Sequence, residues 1–288
     1  MRQTMLGVIG GAGVCAPAGV GGARPGAGGA PWGSPPAEGL GRGVGGVPVA
    51  FLPRHGRGHV HSPTSVPYRA NIDALKRLGC TDVLSVSAVG SLHEDFAPGD
   101  LVLVDQYIDR TFARDKSFFG PGCVAHVSVA RPTCPRLSDA CAAALPPGAR
   151  LHRGATYLAM EGPQFSTLAE SRLYRTWGAD VIGMTGMPEA KLAREAELCY
   201  ACLAMVTDYD CWHEGHGAVD VAQVVAVMAA NAGKAQALVA ALPGVLGTDR
   251  APCPAGCDHA LDHAVMTARD ARDPTVLARL DAVAGRVL

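Results

Sequence analysis

Apolar residues fall in short blocks separated by turn-forming residues along most of the chain. Val47-Pro48-Val49-Ala50-Phe51-Leu52 is a run of strand formers, and Val83 to Val89 is apolar and β-branched up to Gly90, as a buried strand would be. Leu101-Val102-Leu103-Val104, Arg153–Met160, Val181-Ile182 and the continuous run from Cys199 to Val206 read as further strands. Between them the period lengthens. Ile72, Leu75 and Leu78 recur every three residues until Gly79, which predicts a helix over Tyr68–Leu78. Further helices are predicted over Cys134–Leu145, stopped by Pro146-Pro147-Gly148, and over Phe165–Trp177, closed by Gly178. Pro188 suits the first turn of a helix running to Glu197. A long apolar helix is predicted over about Val219–Leu242, and a last one from Pro274 to the end. Strands that are apolar throughout and alternate with helices indicate an α/β fold, a sheet covered on both faces.

The first segment needs separate treatment. Arg2 followed by Met5-Leu6-Gly7-Val8-Ile9-Gly10 imitates a secretion signal, and Cys15 imitates a lipid-anchor cysteine. Gly10, Gly11 and Gly13 break the apolar stretch, however, and glycine suits a signal helix poorly. A first buried strand running into a glycine loop is the better reading. Residues 1–50 hold 16 of the 36 glycines, so the Gly/Pro-rich stretch 14–46 reads as loop with short strands and not as a domain of its own. One domain over 1–288 is expected.

Composition narrows the function. Hydrophobic types at 48% against 18% charged exclude a disordered chain. The 25 Lys+Arg nearly cancel 26 Asp+Glu, so no broad basic face is expected for nucleic acid. No apolar run is expected to reach the roughly 20 residues of a membrane helix. Ten cysteines are scattered along apolar runs. Cys199-x-x-Cys202 resembles a redox pair or half a zinc site, but no second pair follows at zinc-site spacing, and packing within a strand is the preferred reading. Cys253 and Cys257, in a Pro/Gly-rich stretch, are better placed for a surface disulfide, which a reducing cytosol would keep as thiols.

Four segments stand where strands end, the usual place for ligand groups in α/β sheets. Gly7-Val8-Ile9-Gly10-Gly11-Ala12-Gly13 presents backbone N–H groups that suit an anion. Arg54-His55-Gly56-Arg57-Gly58-His59 supplies a guanidinium able to fork onto two phosphate oxygens, with His55 as a further donor. His59-x-His61 lacks a carboxylate or cysteine at metal-site spacing. Ser87-Ala88-Val89-Gly90-Ser91-Leu92 ends a buried strand in small and hydroxyl residues, open to structural or ligand-binding use alike. Val206-Thr207-Asp208-Tyr209-Asp210 delivers two carboxylates, two residues apart, so that an extended chain would aim both at one ligand. Desolvation and like charge should raise the proton affinity of at least one of them.

In this order, together with Pro67-Tyr68-Arg69-Ala70-Asn71-Ile72, Asp105–Thr111, Met160-Glu161-Gly162-Pro163-Gln164-Phe165-Ser166-Thr167 and Gly183–Glu189, these segments resemble the trimeric purine nucleoside phosphorylase family. The likeness covers about residues 47–240 plus the first strand. It implies a single domain with a central mixed β-sheet flanked by helices. It also implies phosphorolysis of methylthioadenosine to adenine and methylthioribose 1-phosphate, in a cytoplasmic homotrimer. The implied partners are the nucleoside and inorganic phosphate, a co-substrate; no cofactor, metal, nucleic acid or membrane is expected.

Carried over residue by residue, the likeness puts phosphate at Ala12, Arg54, His55, Ser87, Ala88 and Thr185. Purine and ribose fall to Phe165, Ile182, Gly183, Met184, Thr207, Asp208 and Asp210, with Asp208 the donor to the purine N7. The catalytic set is Asp208, Arg54 and His55. Val224 and Val225 would line the 5′ pocket, which His126 would close from a neighbouring subunit. Relatives that act on 6-oxopurines usually carry asparagine at position 208 and glutamate at 166, so Asp208 and Ser166 favour adenine. Where the family usually has a hydroxyl residue this chain has Ala12, which removes one phosphate contact worth about 1.5–3 kcal/mol. Three alternatives stay open: a 6-oxopurine or methylthioinosine phosphorylase, a hydrolytic nucleosidase, and a catalytically impaired nucleoside-binding relative.

Overall fold

The computed structural model describes residues 2–11, 20–24, 31–35, 38–215 and 221–288. Its strands are β1 (Arg2–Gln3), β2 (Leu6–Gly10), β3 (Val20–Arg24), β4 (Glu38–Arg42), β5 (Pro48–Pro53), β6 (Asp82–Ser91), β7 (Leu101–Asp109), β8 (Leu151–Ala159), β9 (Val181–Gly183), β10 (Cys199–Asp208) and β11 (Asp249–Arg250). Its α-helices are α1 (Tyr68–Arg77), α2 (Pro135–Ala143), α3 (Leu168–Thr176), α4 (Gly186–Glu195), α5 (Val221–Leu246), α6 (Pro274–Arg279) and α7 (Asp281–Ala284).

β6 is the hub of a mixed nine-stranded sheet ordered β10-β7-β8-β9-β6-β2-β5-β4-β3. It runs parallel to β2 and β10 and antiparallel to β9. The β6–β10 pairing closes β10, β7, β8, β9 and β6 into a ring. Side chains of β6 and β10 alternate between two cores. Val83, Val89, Cys202, Ala204 and Val206 join the first core, which also holds Ile72 of α1 and Leu192 of α4. Leu84, Val86, Ala201, Leu203 and Met205 join the second, with Leu137 of α2 and Leu238 of α5. Burial on both faces explains why these strands are apolar throughout. Truncating Leu203 to alanine would cost about 2–5 kcal/mol.

The first segment is a strand: β2 is buried along its whole length and lies between β5 and β6. Within 14–46, β3 and β4 form an antiparallel hairpin at the sheet edge, where glycine-rich strands need pack little.

Three expectations need correction. The helix expected from Phe165 begins after Thr167, whose hydroxyl accepts from Glu170 N (3.2 Å) while Glu170 Oε2 accepts from Thr167 N (2.8 Å). This capping box leaves Phe165 in the preceding loop. The last expected helix is split into α6 and α7 at the buried Leu280. Finally, Val224–Leu246 of α5, 23 residues of mean hydropathy 1.4, is long and apolar enough to cross a membrane by length and composition alone. About a third of it is buried (33%), and the helix packs along β10. Asn231 and Lys234, on its inner side, donate to Val206 O (3.0 Å) and Gly99 O (2.7 Å).

Candidate active site

The carboxyl ends of β5, β6 and β10 open into a cavity of about 650 Å³, walled by the Met160–Phe165 loop, by β9 with Thr185, and by the start of α5. It gathers nearly all of the expected site residues. Arg54, His55, Ser87, Ala88 and Thr185 line one part; Phe165, Ile182, Gly183, Met184, Thr207, Asp208 and Asp210 line the rest with Val224 and Val225. Ala12 lies outside the described residues. His126 is exposed and is not among the residues lining the cavity of its own chain; its N–H donates to Ala264 O (2.9 Å).

The guanidinium of Arg54 is more committed than a free fork. Nε donates to Glu189 Oε2 (2.7 Å), and Nη2 donates to Glu189 Oε1 (3.2 Å) and Ser85 Oγ (2.6 Å). Nη1 gives one hydrogen to Val86 O (3.1 Å). Five N–H hydrogens minus these four contacts leave one, on Nη1. Burial works against the charge, but Glu189 outweighs it, and the Arg54 pKa is raised. The bidentate grip expected from sequence is therefore spent inside the protein, on Glu189, which Tyr200 Oη also holds (2.9 Å).

His55 differs from expectation in a related way. Its Nδ1 sits 2.9 Å from His61 O, and since a carbonyl only accepts, Nδ1 carries the hydrogen. Burial pulls the His55 pKa down to about 4, against the bond to His61, and the charge of Arg54 adds to the fall. At neutral pH the ring is uncharged and Nε2 is an acceptor. His59 stacks on it at 4.1 Å. Ser87 Oγ and Thr185 Oγ1 lie 3.4 Å apart, two neutral hydroxyls on one wall.

At the acidic end β10 stops at Asp208, and Asp210 adopts φ 51° in the left-handed region. The two carboxylates thus meet through a turn, not through extended alternation. Asp208 Oδ1 accepts from Asp210 N (2.8 Å). The Thr207 hydroxyl has one hydrogen for two acceptors, Val89 O (3.1 Å) and Asp208 Oδ2 (2.7 Å). Gly90 makes room here, since a Cβ on it would stand 2.8 Å from Asp208 Oδ1.

The carboxyl with raised proton affinity is Asp210, through burial first and then the charge of Asp208 among other causes. Its Oδ2 is buried without a well-formed hydrogen bond among the described residues, the hydroxyls of Ser166 and Ser171 being its neighbours. Such an atom costs stability unless a ligand donor meets it. Phe165, 46% exposed, and Met184 cover the opening, while Val221, Val224, Val225 and Met228 make the far wall apolar.

Sequence reasoning passed over Glu189 and Ser85 as partners of Arg54. A glutamate amid the apolar residues of α4 was the available signal. It also passed over Arg114, which donates to Met184 O and Met187 O (2.6 Å each) and to Glu161 O (2.7 Å), and so ties the loop ahead of α4 to the Met160–Phe165 loop.

Residues 39–242 match the family model described as the phosphorylase superfamily. The S-methyl-5′-thioadenosine phosphorylase of Cereibacter sphaeroides is 66% identical over 287 residues, 99% of each chain. That of Bradyrhizobium diazoefficiens is 57% identical over 290 residues, 100% of this chain and 99% of its own. A methylthioadenosine phosphorylase from an antarctic soil metagenomic library shares the fold at a TM-score of 0.87 and 42% identity, covering 98% of this chain and 99% of its own. A Schistosoma mansoni methylthioadenosine phosphorylase solved in complex with adenine has a TM-score of 0.78 and 30% identity over 98% of both chains.

Proposed function

The chain belongs to the phosphorylase superfamily, and on that premise we propose that its cavity carries out phosphorolysis of S-methyl-5′-thioadenosine to adenine and S-methyl-5-thioribose 1-phosphate. The observation that carries this reading is one cavity lined by Arg54, Ser87 and Thr185, which suit an anion, by the carboxyl groups of Asp208 and Asp210, which suit a base, and by apolar Val221, Val224, Val225 and Met228.

A phosphate oxygen forms the new bond to the anomeric carbon while the bond from that carbon to the purine nitrogen breaks, its electron pair leaving with the base. The hydrogen of hydrogenphosphate balances the one the base gains. No electrons change hands overall, so the reaction requires no redox cofactor. Phosphate is held by the remaining Arg54 Nη1 hydrogen and by Ser87, Thr185 and the Ala88 backbone. The His55 Nε2 lone pair accepts the phosphate's own hydrogen. Because Arg54 is already neutralised by Glu189 and His55 is uncharged, this end holds its anion more by fixed dipoles than by net charge.

Asp208 hydrogen-bonds or protonates the purine N7 as the base departs and so stabilises the leaving group. The unsatisfied Oδ2 of Asp210 accepts from the 6-amino group, and Phe165 stacks on the ring. Val221, Val224, Val225 and Met228 leave no charge for a 5′ hydroxyl or phosphate and suit a methylthio group.

The proposed assembly is a homotrimer in which His126 closes a neighbour's pocket. Its exposure away from its own cavity supports this, as do the exposed Val124 and Val129 beside it. The cytoplasm is the proposed location.

Comparing turnover of methylthioadenosine, methylthioinosine and inosine with phosphate present tests the substrate. Preference for methylthioadenosine is expected; preference for inosine would overturn the adenine assignment.

A further inference from the structure

At the opposite end of β10 from Asp208, four cysteines from three parts of the chain converge. Cys134 caps the N-terminus of α2, Cys199 opens β10, and Cys253 and Cys257 flank a turn after β11 in which Gly256 is left-handed at φ 65°. All four are buried, and their Sγ atoms lie within 4.8 Å of one another. Cys134 and Cys253 are 3.6 Å apart. A disulfide needs about 2.05 Å, whereas tetrahedral thiolates at about 2.3 Å from a zinc ion stand about 3.8 Å from each other.

The sequence reading of these residues is revised for Cys253 and Cys257 and kept for Cys199 and Cys202. Cys253 and Cys257 are not on the surface but 6% and 2% exposed, and both are free thiols. Cys199 and Cys202, three apart in a strand, point into opposite cores, so they cannot pair. The partner pair for Cys199 comes instead from Cys253-x-x-x-Cys257, a spacing common in zinc sites.

Buried charges flank the sulfurs. Arg250 Nη2 donates to Cys199 Sγ (3.0 Å), and the Arg136 guanidinium is also a neighbour of Cys199. Both arginines share a single buried carboxylate, Asp82. On the other side the Asp258 carboxylate accepts from Cys253 N (3.1 and 3.2 Å), so two guanidiniums stand against two carboxylates around the sulfurs. Four thiolates and a divalent ion would bring two negative charges beside those arginines.

We infer that Cys134, Cys199, Cys253 and Cys257 form a closed tetrahedral site for a thiophilic divalent cation of the zinc class. With every sulfur buried and four protein ligands supplied, no coordination position is left for substrate, so the ion is structural. It would clip the segment after β11 to the start of β10 and the head of α2. Clips of this kind, joining residues distant in sequence, remove the most freedom from the unfolded chain. Binding releases the protons still held by the thiols, so retention should weaken on acidification.

Elemental analysis of the full-length protein after exhaustive dialysis against metal-free buffer decides the matter. About one zinc per chain is expected, released as an organomercurial reagent titrates the thiols. Replacing zinc with cobalt(II) should give the intense visible bands of a tetrahedral thiolate complex. In a Cys253→Ser/Cys257→Ser double variant the bound metal should fall by about tenfold or more. Should that variant fail to fold, the metal content and cobalt spectrum of the unaltered protein still decide. A wild-type mass lowered by the hydrogens of two disulfides would overturn the inference. So would four titratable thiols without metal, or zinc retained in the double variant.

Discussion

Arg54 Nε lies 2.7 Å from Glu189 Oε2, and each side chain is only 1% exposed. This ion pair turns a mobile cation into a fixed one with a single hydrogen left for the pocket. A lysine at 54 offers a point charge that cannot satisfy Glu189, Ser85 and Val86 together. Arg54→Lys is expected to lower kcat/KM for phosphate by about 10–100-fold while the nucleoside affinity changes little. Glu189→Ala leaves a buried guanidinium without its partner and should destabilise the fold by about 3–5 kcal/mol in denaturant titrations.

His55 should stay neutral far below the usual imidazole range in the protein free of phosphate. Its folded pKa of about 4 lies below the ordinary 6.5, so its contribution to stability is complete above pH 6.5 and is lost as pH falls toward 4. An NMR titration of the ring should show a midpoint near 4, and a midpoint near 6.5 would contradict the acceptor role assigned to Nε2.

The acidic pair divides its work. Asp208→Ala should reduce kcat by about 10²–10⁴-fold without shifting the melting temperature much, because Asp208 is only half-buried. Asp210→Asn replaces an acceptor oxygen facing the base and should weaken adenine binding by about tenfold or more in calorimetry, with a smaller effect on phosphate.

Gly90→Ala probes the same end without replacing an ionisable group. The added methyl would press on Asp208 Oδ1 at 2.8 Å and on Ile182 at 3.2 Å. Misplacing the acid by a fraction of an ångström is expected to cut kcat by about 10–100-fold, while thermal unfolding reports a loss of only about 1–3 kcal/mol.

Most of the fold could be read from the sequence because its central strands are buried on both faces. The runs at 83–89 and 199–206 therefore announced themselves, as did the three-residue spacing of Ile72, Leu75 and Leu78. Element ends were less clear. Thr167 and Glu170 set the start of α3 by side-chain hydrogen bonds that hydropathy does not register. Of the pocket, the strand-tip motifs pointed to Arg54, Ser87 and Asp208, which line one cavity because strand termini on one side of a sheet converge, while Thr185 came only from the family likeness. The state of those groups was not legible. That Arg54 is engaged by Glu189, that His55 gives up its Nδ1 hydrogen to His61, and that Cys134 meets Cys253 are all contacts between residues remote in sequence or bent back by a turn. No local spacing encodes them.

The most direct test of the central claim is adenine release from methylthioadenosine, followed in phosphate-free buffer and again as phosphate is restored. Release that rises with phosphate and yields methylthioribose 1-phosphate in equal amount is the expected result. Release at the same rate without phosphate, with free methylthioribose as the product, would contradict it.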